Sequence, residues 1–216
     1  MDNIDFTELK IRHPNLYKTL NEYYGIDSPK KHNIEELILR AHNSERYVSY
    51  WKNGILKKIE KEINHSIQGI TFGFIPNYGG EVYFSTEVSE RRNKLTKIQL
   101  YLSLLDNVYT IQVLETIETV DILPVEKIEI RTETLKELWV SPGNHPCSEL
   151  FLKIQNCLDK LLESPVFLPY SIQEIELKGV SPPGIVEKER YFVRDAFFRT
   201  IMPQNCEGAL IYGDHN

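Results

Sequence analysis

The sequence predicts an α+β fold: an antiparallel meander sheet of about five strands, covered on one face by N- and C-terminal helices. Two observations support this prediction. Side chains of alternating polarity between residues 68 and 115 have the period of strands, and the flanking segments carry apolar residues at helical spacing. We therefore expect one domain over residues 1–216, with a helical part at 1–45, a sheet at 46–140 and a second helical part at 141–216.

The N-terminal part carries clear helix signals. Pro14 suits the first turn of a helix, and Gly25 is a favoured stop after the apolar positions Leu16 and Leu20. Asn33 stands three residues before a glutamate, which matches a capping box at the start of the next helix.

The next segment contains a strong turn signal. Residues 46–51 favour a strand, and Asn53-Gly54 is a turn dipeptide. After it, apolar residues recur at helical spacing from Ile55 to Ile63. We expect a strand, a turn and a helix in this order.

A glycine-rich stretch, GFIPNYGGEVYFSTE at residues 73–87, lies between two runs of strand period. A phosphate-binding glycine loop should lead into a helix, whose N-terminal N–H groups face the anion. Here a strand-like run follows, and neither GKS nor GKT is present. We interpret Gly79 and Gly80 as the bend of a hairpin, where glycine supplies positive φ angles, and expect no cofactor.

A second hairpin is predicted between residues 97 and 115, with Asp106-Asn107 in its turn. The segment ERRNKLT at residues 90–96 is expected to link the two hairpins. The run after Pro124, VEKIEIRTE, predicts a fifth strand.

The C-terminal part alternates helical and loop signals. Residues 146–164 form the clearest amphipathic helix, and IQEIEL at residues 172–177 favours a short strand. A final helix is expected from residue 185, with Val186 and Ile201 on its apolar face. The tail after it reads as a loop.

Composition excludes several classes of function. Thirty-one acidic and 25 basic residues give a net charge of −6, which argues against nucleic acid as a main partner because phosphate binding needs a concentrated basic surface. There is no apolar run of about 18 residues, so no membrane span is expected. Three cysteines at irregular spacings do not make a disulfide framework, which predicts a cytoplasmic protein with reduced thiols.

One pair of residues suggests an alternative, enzymatic function. His145 and Cys147 lie just before the long C-terminal helix, and a thiol near a helix N-terminus and an imidazolium can have a lowered pKa. Catalytic dyads are usually assembled from distant segments, so a loop histidine beside a semi-buried cysteine is the favoured interpretation. Cys206 and His215 could be added as zinc ligands, but the spacing matches no known zinc motif, and we expect no metal.

An excess of acidic residues follows the second hairpin. On an edge strand, such charges would block sheet-to-sheet aggregation, which is the favoured interpretation. The alternative is a docking surface that steers a basic protein partner by charge, with exposed tyrosines as anchors. The residues expected to bind that partner are Glu115, Glu118, Asp121, Glu126, Glu129, Glu133, Tyr78, Tyr83 and Tyr101.

The function favoured by these observations is protein binding. A compact, acidic α+β domain of this size resembles the immunity proteins of bacterial toxin systems; the resemblance is one of type and covers no specific residues. It implies a cytoplasmic bacterial protein that blocks a basic toxin or effector by occlusion. The alternatives are an enzyme that uses His145 and Cys147, or a structural or regulatory subunit of a larger assembly.

Overall fold

The computed structural model describes residues 6–71, 74–123, 128–178, 180, 182, 190–198 and 209–213. In this part of the chain, helices pack on a mostly antiparallel seven-stranded sheet, which confirms the α+β prediction. None of the helices in these ranges is both long and apolar enough to cross a bilayer.

The helices lie mainly before and after the sheet, as predicted. The bounds are α1, Phe6–Arg12; α2, Pro14–Tyr24; α3, Ile34–Ala41; α4, Ser44–Arg46; a π-helix, Tyr47–Leu56; α5, Lys57–Ile63; α6, Ser148–Leu161; α7, Tyr170–Gln173; and α8, Val193–Phe197. The predicted helix ends are confirmed at two sites. Gly25 adopts the left-handed conformation after α2, and the Asn33 side chain accepts hydrogen bonds from the first-turn N–H groups of α3.

The strands are β1, Gln68–Gly69; β2, Asn77–Ser89; β3, Arg92–Ser103; β4, Val108–Leu123; β5, Ile128–Trp139; β6, Val166–Phe167; and β7, Leu210–Tyr212. Their order in the sheet is β1-β2-β3-β4-β5-β7, and β6 pairs with β4. The strands β2 to β5 form the predicted antiparallel meander. β6 and β7 pair in parallel with β4 and β5, respectively.

One face of the sheet is covered by the π-helix, α5 and α6. Val82, Ile98 and Val113 are cross-strand neighbours on this face, and they belong to the same buried cluster as Trp51 and Ile154 of the covering helices. Burial of these apolar surfaces is the main favourable contribution to folding.

A second buried cluster joins the two helical parts of the chain. It contains Leu9 and Ile38 from the N-terminal helices together with Ile172 and Phe197 from the C-terminal part. This cluster reaches the other face of the sheet, where the Gln173 amide donates a hydrogen bond to the Thr110 hydroxyl at 2.9 Å.

The predicted strand and turn at residues 46–54 are wrong, because this segment is the π-helix. Its i→i+5 hydrogen bonds make a wider turn than an α-helix. Trp51, Ile55 and Leu56 are buried on the side that faces the sheet. Burial of this apolar side outweighs the local turn preference of Asn53-Gly54.

The prediction that Gly79 and Gly80 form a hairpin bend is also wrong. The bend falls before Asn77, and both glycines lie inside β2, paired with Tyr101 and Leu100 of β3. A Cβ atom at Gly80 would lie 2.9 Å from Leu56 Cδ2, so glycine is needed here for close packing and not for a positive φ angle. The expected linker at residues 90–96 shrinks to a tight turn, because β2 and β3 extend almost to it.

The C-terminal predictions are confirmed only in part. α6 occupies the predicted helical segment, but the first two residues of the strand expected at 172–177 belong to α7, and the tail contains β7. Arg190–Phe192 precedes α8 as non-helical chain, and Phe192 bridges to Glu176. Val186 and Ile201 lie outside the described residues.

Candidate functional site

The end of the sheet farthest from the β3–β4 turn, which we call the sheet tip, consists of the described residues at 85–94 and 117–134. Nearly all of its β2 and β5 residues are exposed. In the part of the chain that the structure describes, no residue of the tip belongs to a buried apolar cluster. The tip is therefore a two-sided surface that contributes little to the core.

Large apolar side chains are exposed on the tip. Ile128 and Ile130 of β5 are 49% and 43% exposed; Val88 of β2 is also exposed, and Ile122 of β4, the cross-strand neighbour of Glu129, is exposed on the opposite face. Ile128 and Ile130 are two positions apart in one strand, so they share a face. Clustered exposed apolar residues commonly mark a protein-binding surface, whereas single ones are ordinary.

The outer edge of β5 is only partly paired. β7 pairs with Glu137–Trp139, but among the described residues no strand pairs with the outer edge of residues 128–136. This stretch therefore presents backbone N–H and C=O groups that another strand could pair with.

Two of the predicted partner-binding glutamates are not on the surface. Glu115 and Glu118 are each 8% exposed because they lie in β4, inside the sheet and not at its edge. Glu115 forms an ion pair with Lys94 at 2.6 Å, and Glu118 accepts a hydrogen bond from the Asn93 amide at 2.9 Å. These two residues hold neighbouring strands together and are unavailable to a partner.

Three of the remaining predicted acidic residues are exposed, and two of these three form ion pairs. Glu133 pairs with Lys97 at 2.6 Å, and Glu129 pairs with Arg131 at 3.5 Å. Asp121 is exposed on the tip. Glu126 lies outside the described residues.

The three predicted tyrosine anchors have different environments. Tyr83 is 50% exposed, close to the tip. Tyr78 is only 1% exposed, which rules it out as a surface anchor, and its hydroxyl donates to the Ala41 carbonyl at 2.7 Å. Tyr101 is partly buried, and its hydroxyl donates to the Gln99 side chain at 2.9 Å. Burial, with a smaller effect of Glu81, raises the pKa of Tyr101.

His145 and Cys147 do not form the nucleophile–base pair considered from the sequence. Nδ1 of the buried His145 ring accepts a hydrogen bond from the Cys147 backbone N–H at 3.0 Å, and Nε2 lies 2.9 Å from Glu115 Oε1. Because Nδ1 is an acceptor, the ring proton lies on Nε2 and is donated to Glu115. Both ring nitrogens are therefore occupied, and His145 connects the loop before α6 to β4.

The Cys147 thiol is not activated. Burial, together with the charge of Glu115, raises its pKa, which lowers the thiolate fraction needed for nucleophilic attack. Among the described residues, no group of three or more histidine, cysteine or acidic side chains is arranged to hold a metal ion. Cys206 and His215, the other residues considered for zinc, lie outside those residues.

The contacts of Glu115 with Lys94 and His145 predict how the free energy of unfolding depends on pH. Burial acts to raise the pKa of Glu115, but hydrogen bonds from Lys94 and His145 outweigh it and hold the pKa below its usual value. A lowered folded-state pKa contributes stability above the unfolded value of about 4.3, and this contribution is lost as pH falls through the folded-state pKa. We expect the isosteric Glu115→Gln variant to lose stability less steeply than wild type as pH falls below about 4.5.

Urea unfolding curves at a series of pH values test this expectation. Lys94→Met should give an intermediate slope, because it removes only one of the two partners of Glu115. Equal slopes for wild type and Glu115→Gln would show that this carboxylate is not stabilised by the fold.

The sequence analysis missed the apolar character of the β5 edge. The signal was present in IEIRTE at residues 128–133, where isoleucines alternate with charged residues. Only the charged residues of this segment entered the predicted docking surface. No protein-family model, curated protein or solved structure matches this chain, so its function has to be inferred from its own residues.

Proposed function

We propose that the protein is a binding domain that holds an extended segment of a protein partner along the outer edge of β5. The observation that carries this proposal is the combination of an edge with no strand partner among the described residues and the exposed side chains of Ile128 and Ile130 on that edge. An extended partner strand satisfies both features: its backbone forms hydrogen bonds with the unpaired edge, and its alternate side chains pack on Ile128 and Ile130.

The pairing of β7 supports this mode of binding. β7 already hydrogen-bonds to the outer edge of β5 at Glu137–Trp139, so this edge has the geometry for another strand. A partner strand at residues 128–135 would extend the same pairing along the edge towards the tip.

The surface favours a partner with alternating aliphatic side chains. The sequence alone suggests a basic partner, but Lys94 and Lys97 pair with Glu115 and Glu133, and Arg131 is shared by Glu118 and Glu129, so most of this negative charge is already offset within the sheet. Backbone hydrogen bonds and apolar contacts are therefore better supported as the source of affinity than charge, with Asp121 and Tyr83 at the periphery.

An immunity-type function is one form of this proposal. If the bound segment belongs to the active-site rim of a toxin, occupation of the β5 edge would exclude the toxin's substrate. A scaffold or regulatory subunit would use the same edge without inhibiting its partner, so an activity assay of the purified partner separates the two. A cytoplasmic location, inferred from the cysteines, belongs to this proposal as well.

Hydrogen exchange provides the first test. In the isolated protein, the amides of residues 129–135 that face away from β4 should exchange much faster than those of β3, which is paired on both sides. Protection of these outward amides in the isolated monomer would show that the edge is already covered and would contradict the proposal.

Partner binding provides the second test. A photo-crosslinking residue at Ile128 identifies the partner in cells, and its affinity is then measured with both purified proteins. We expect Ile130→Lys to weaken binding by roughly thirtyfold or more, the effect of losing an apolar hot spot. Leu39→Lys is the matched control, since Leu39 is 65% exposed but lies on α3.

Two results would overturn the proposal. One is equal affinity for wild type and Ile130→Lys. The other is a dimer in light scattering that Ile130→Lys dissociates, because this would place a second copy of the chain on the edge in place of a different protein.

A further inference from the structure

A small pocket lies at the end of the sheet opposite the tip, between α3, the start of the π-helix and the β3–β4 turn. Its volume is about 180 Å³, which is below the roughly 300 Å³ of pockets that hold drug-sized ligands. Apolar and polar residues both line it; Ala41, Tyr78 and Leu102 are almost fully buried, so the apolar surface open to a ligand comes mainly from Leu37, Tyr50 and Leu104.

Two opposite charges line the same pocket. Arg46 contributes a guanidinium that interacts with the Tyr78 hydroxyl. The Asp106 carboxylate is oriented by the Asn107 backbone N–H at 2.8 Å and the Thr19 hydroxyl at 3.3 Å. Within the described ranges, no ion pair joins Arg46 to Asp106, so each charge remains available to a ligand.

Tyr50 of the π-helix and Tyr78 of β2 form the aromatic part of the wall. Tyr47, Tyr50 and Trp51 all pack around Tyr78, with ring centroids 5.9, 6.0 and 5.3 Å away. A ten-residue π-helix is unusual, because such segments are mostly single turns and are frequent at functional sites. Burial raises the pKa of Tyr78 to about 12, so its hydroxyl stays protonated and keeps its hydrogen bond to the Ala41 carbonyl.

We propose that this pocket binds a small zwitterion, specifically a free α-amino acid with an apolar side chain. The ligand carboxylate pairs with Arg46, whose planar guanidinium suits two parallel hydrogen bonds. The ligand ammonium pairs with Asp106, and its side chain packs on Leu37, Leu104 and the Tyr50 ring. The small volume excludes nucleotides and other larger ligands.

Calorimetric titration of the unmodified protein with L-phenylalanine and L-leucine tests binding, and two blocked derivatives of phenylalanine test whether both charged groups of the ligand are needed. N-acetyl-L-phenylalanine lacks the ammonium group, and L-phenylalanine amide lacks the carboxylate. We expect saturable binding of the free amino acids and roughly tenfold or greater loss of affinity for either blocked compound, since each loses a charge-assisted hydrogen bond. Equal affinity for free and blocked compounds, or no saturable binding up to about 10 mM, would overturn the proposal.

Two variants test whether Asp106 binds the ligand ammonium and Arg46 binds the ligand carboxylate. Asp106→Asn should weaken L-phenylalanine roughly tenfold and leave the affinity for the N-acetyl compound unchanged. Arg46→Met should weaken L-phenylalanine similarly but leave the amide unchanged. Arg40→Met is the matched control, because Arg40 lines the neighbouring open depression and not this pocket. If the control has the same effect as the two variants, the pocket is not the binding site.

The pocket residues and the β5 edge residues do not overlap. Failure of the pocket to bind amino acids would therefore leave the proposed strand binding at the β5 edge untouched, and failure of strand binding would leave the pocket proposal untouched.

Discussion

Replacement of Trp51 by alanine is expected to lower the free energy of unfolding by about 3–5 kcal/mol, the usual cost of removing a buried aromatic side chain. Trp51 is fully buried and stacks on Tyr78 with ring planes 14° apart. Its indole N–H also donates to the Gly79 carbonyl at 3.2 Å, so the variant leaves a cavity and loses one hydrogen bond, although this carbonyl still accepts from the Ile70 N–H at 2.9 Å. Urea unfolding followed by circular dichroism measures the loss.

Two further variants separate packing from hydrogen bonding at this position. Trp51→Phe keeps most of the packing but loses the N–H donor, so its cost should be intermediate. Val48→Ala, in the exposed part of the same π-helix, should change stability by no more than about 0.5 kcal/mol. If Trp51→Ala costs no more than Val48→Ala, the π-helix does not pack on the sheet as described.

Replacement of Gly80 by valine should also destabilise the protein, by about 1–3 kcal/mol, although valine is a better strand former than glycine. A Cβ atom at this position would lie 2.9 Å from Leu56 Cδ2 and 3.1 Å from Ile67 Cγ2. Gly80 therefore lies where Leu56 of the π-helix packs closely against β2. Gly80→Ala should cost less than Gly80→Val, because it adds fewer atoms to the same crowded space.

A double-mutant cycle shows whether crowding is the cause. Adding Leu56→Ala to Gly80→Val should recover part of the loss, since it removes the nearest obstructing side chain. Thr86→Val, an exposed position in the same strand, should be neutral or slightly stabilising. Strict additivity of the Leu56 and Gly80 effects would show that a factor other than this contact requires glycine.

The parts of the fold that the sequence predicted are those whose signals are local. Alternation of polarity located β3 and β4, Asn33 marked the start of α3, and Gly25 marked the end of α2. The failures arose where distant contacts decide the conformation. The turn dipeptide Asn53-Gly54 lies within a helix because its neighbours bury their side chains against the sheet.

The candidate sites were predicted less well than the fold. A strand's position within the sheet depends on pairing between segments far apart in sequence, so nothing local showed that Glu115 would be interior while Glu129 would be exposed. The pocket at Arg46 and Asp106 was not foreseen for the same reason, because α4 and the β3–β4 turn meet only in the folded chain. His145 and Cys147 were correctly placed beside the start of α6, but their hydrogen bonds required the position of β4.

The strand order also fixes a sequence of events during synthesis. Each strand from β2 to β5 pairs with the one before it, so the meander is made of contacts between chain neighbours, which form early and quickly. β7 joins the outer edge of β5 only after the whole of α6, α7 and α8 has been made. During synthesis, the outer edge of β5 is therefore unpaired until β7 has been translated. In this interval, chaperones or other copies of the nascent chain would compete with β7 for that edge.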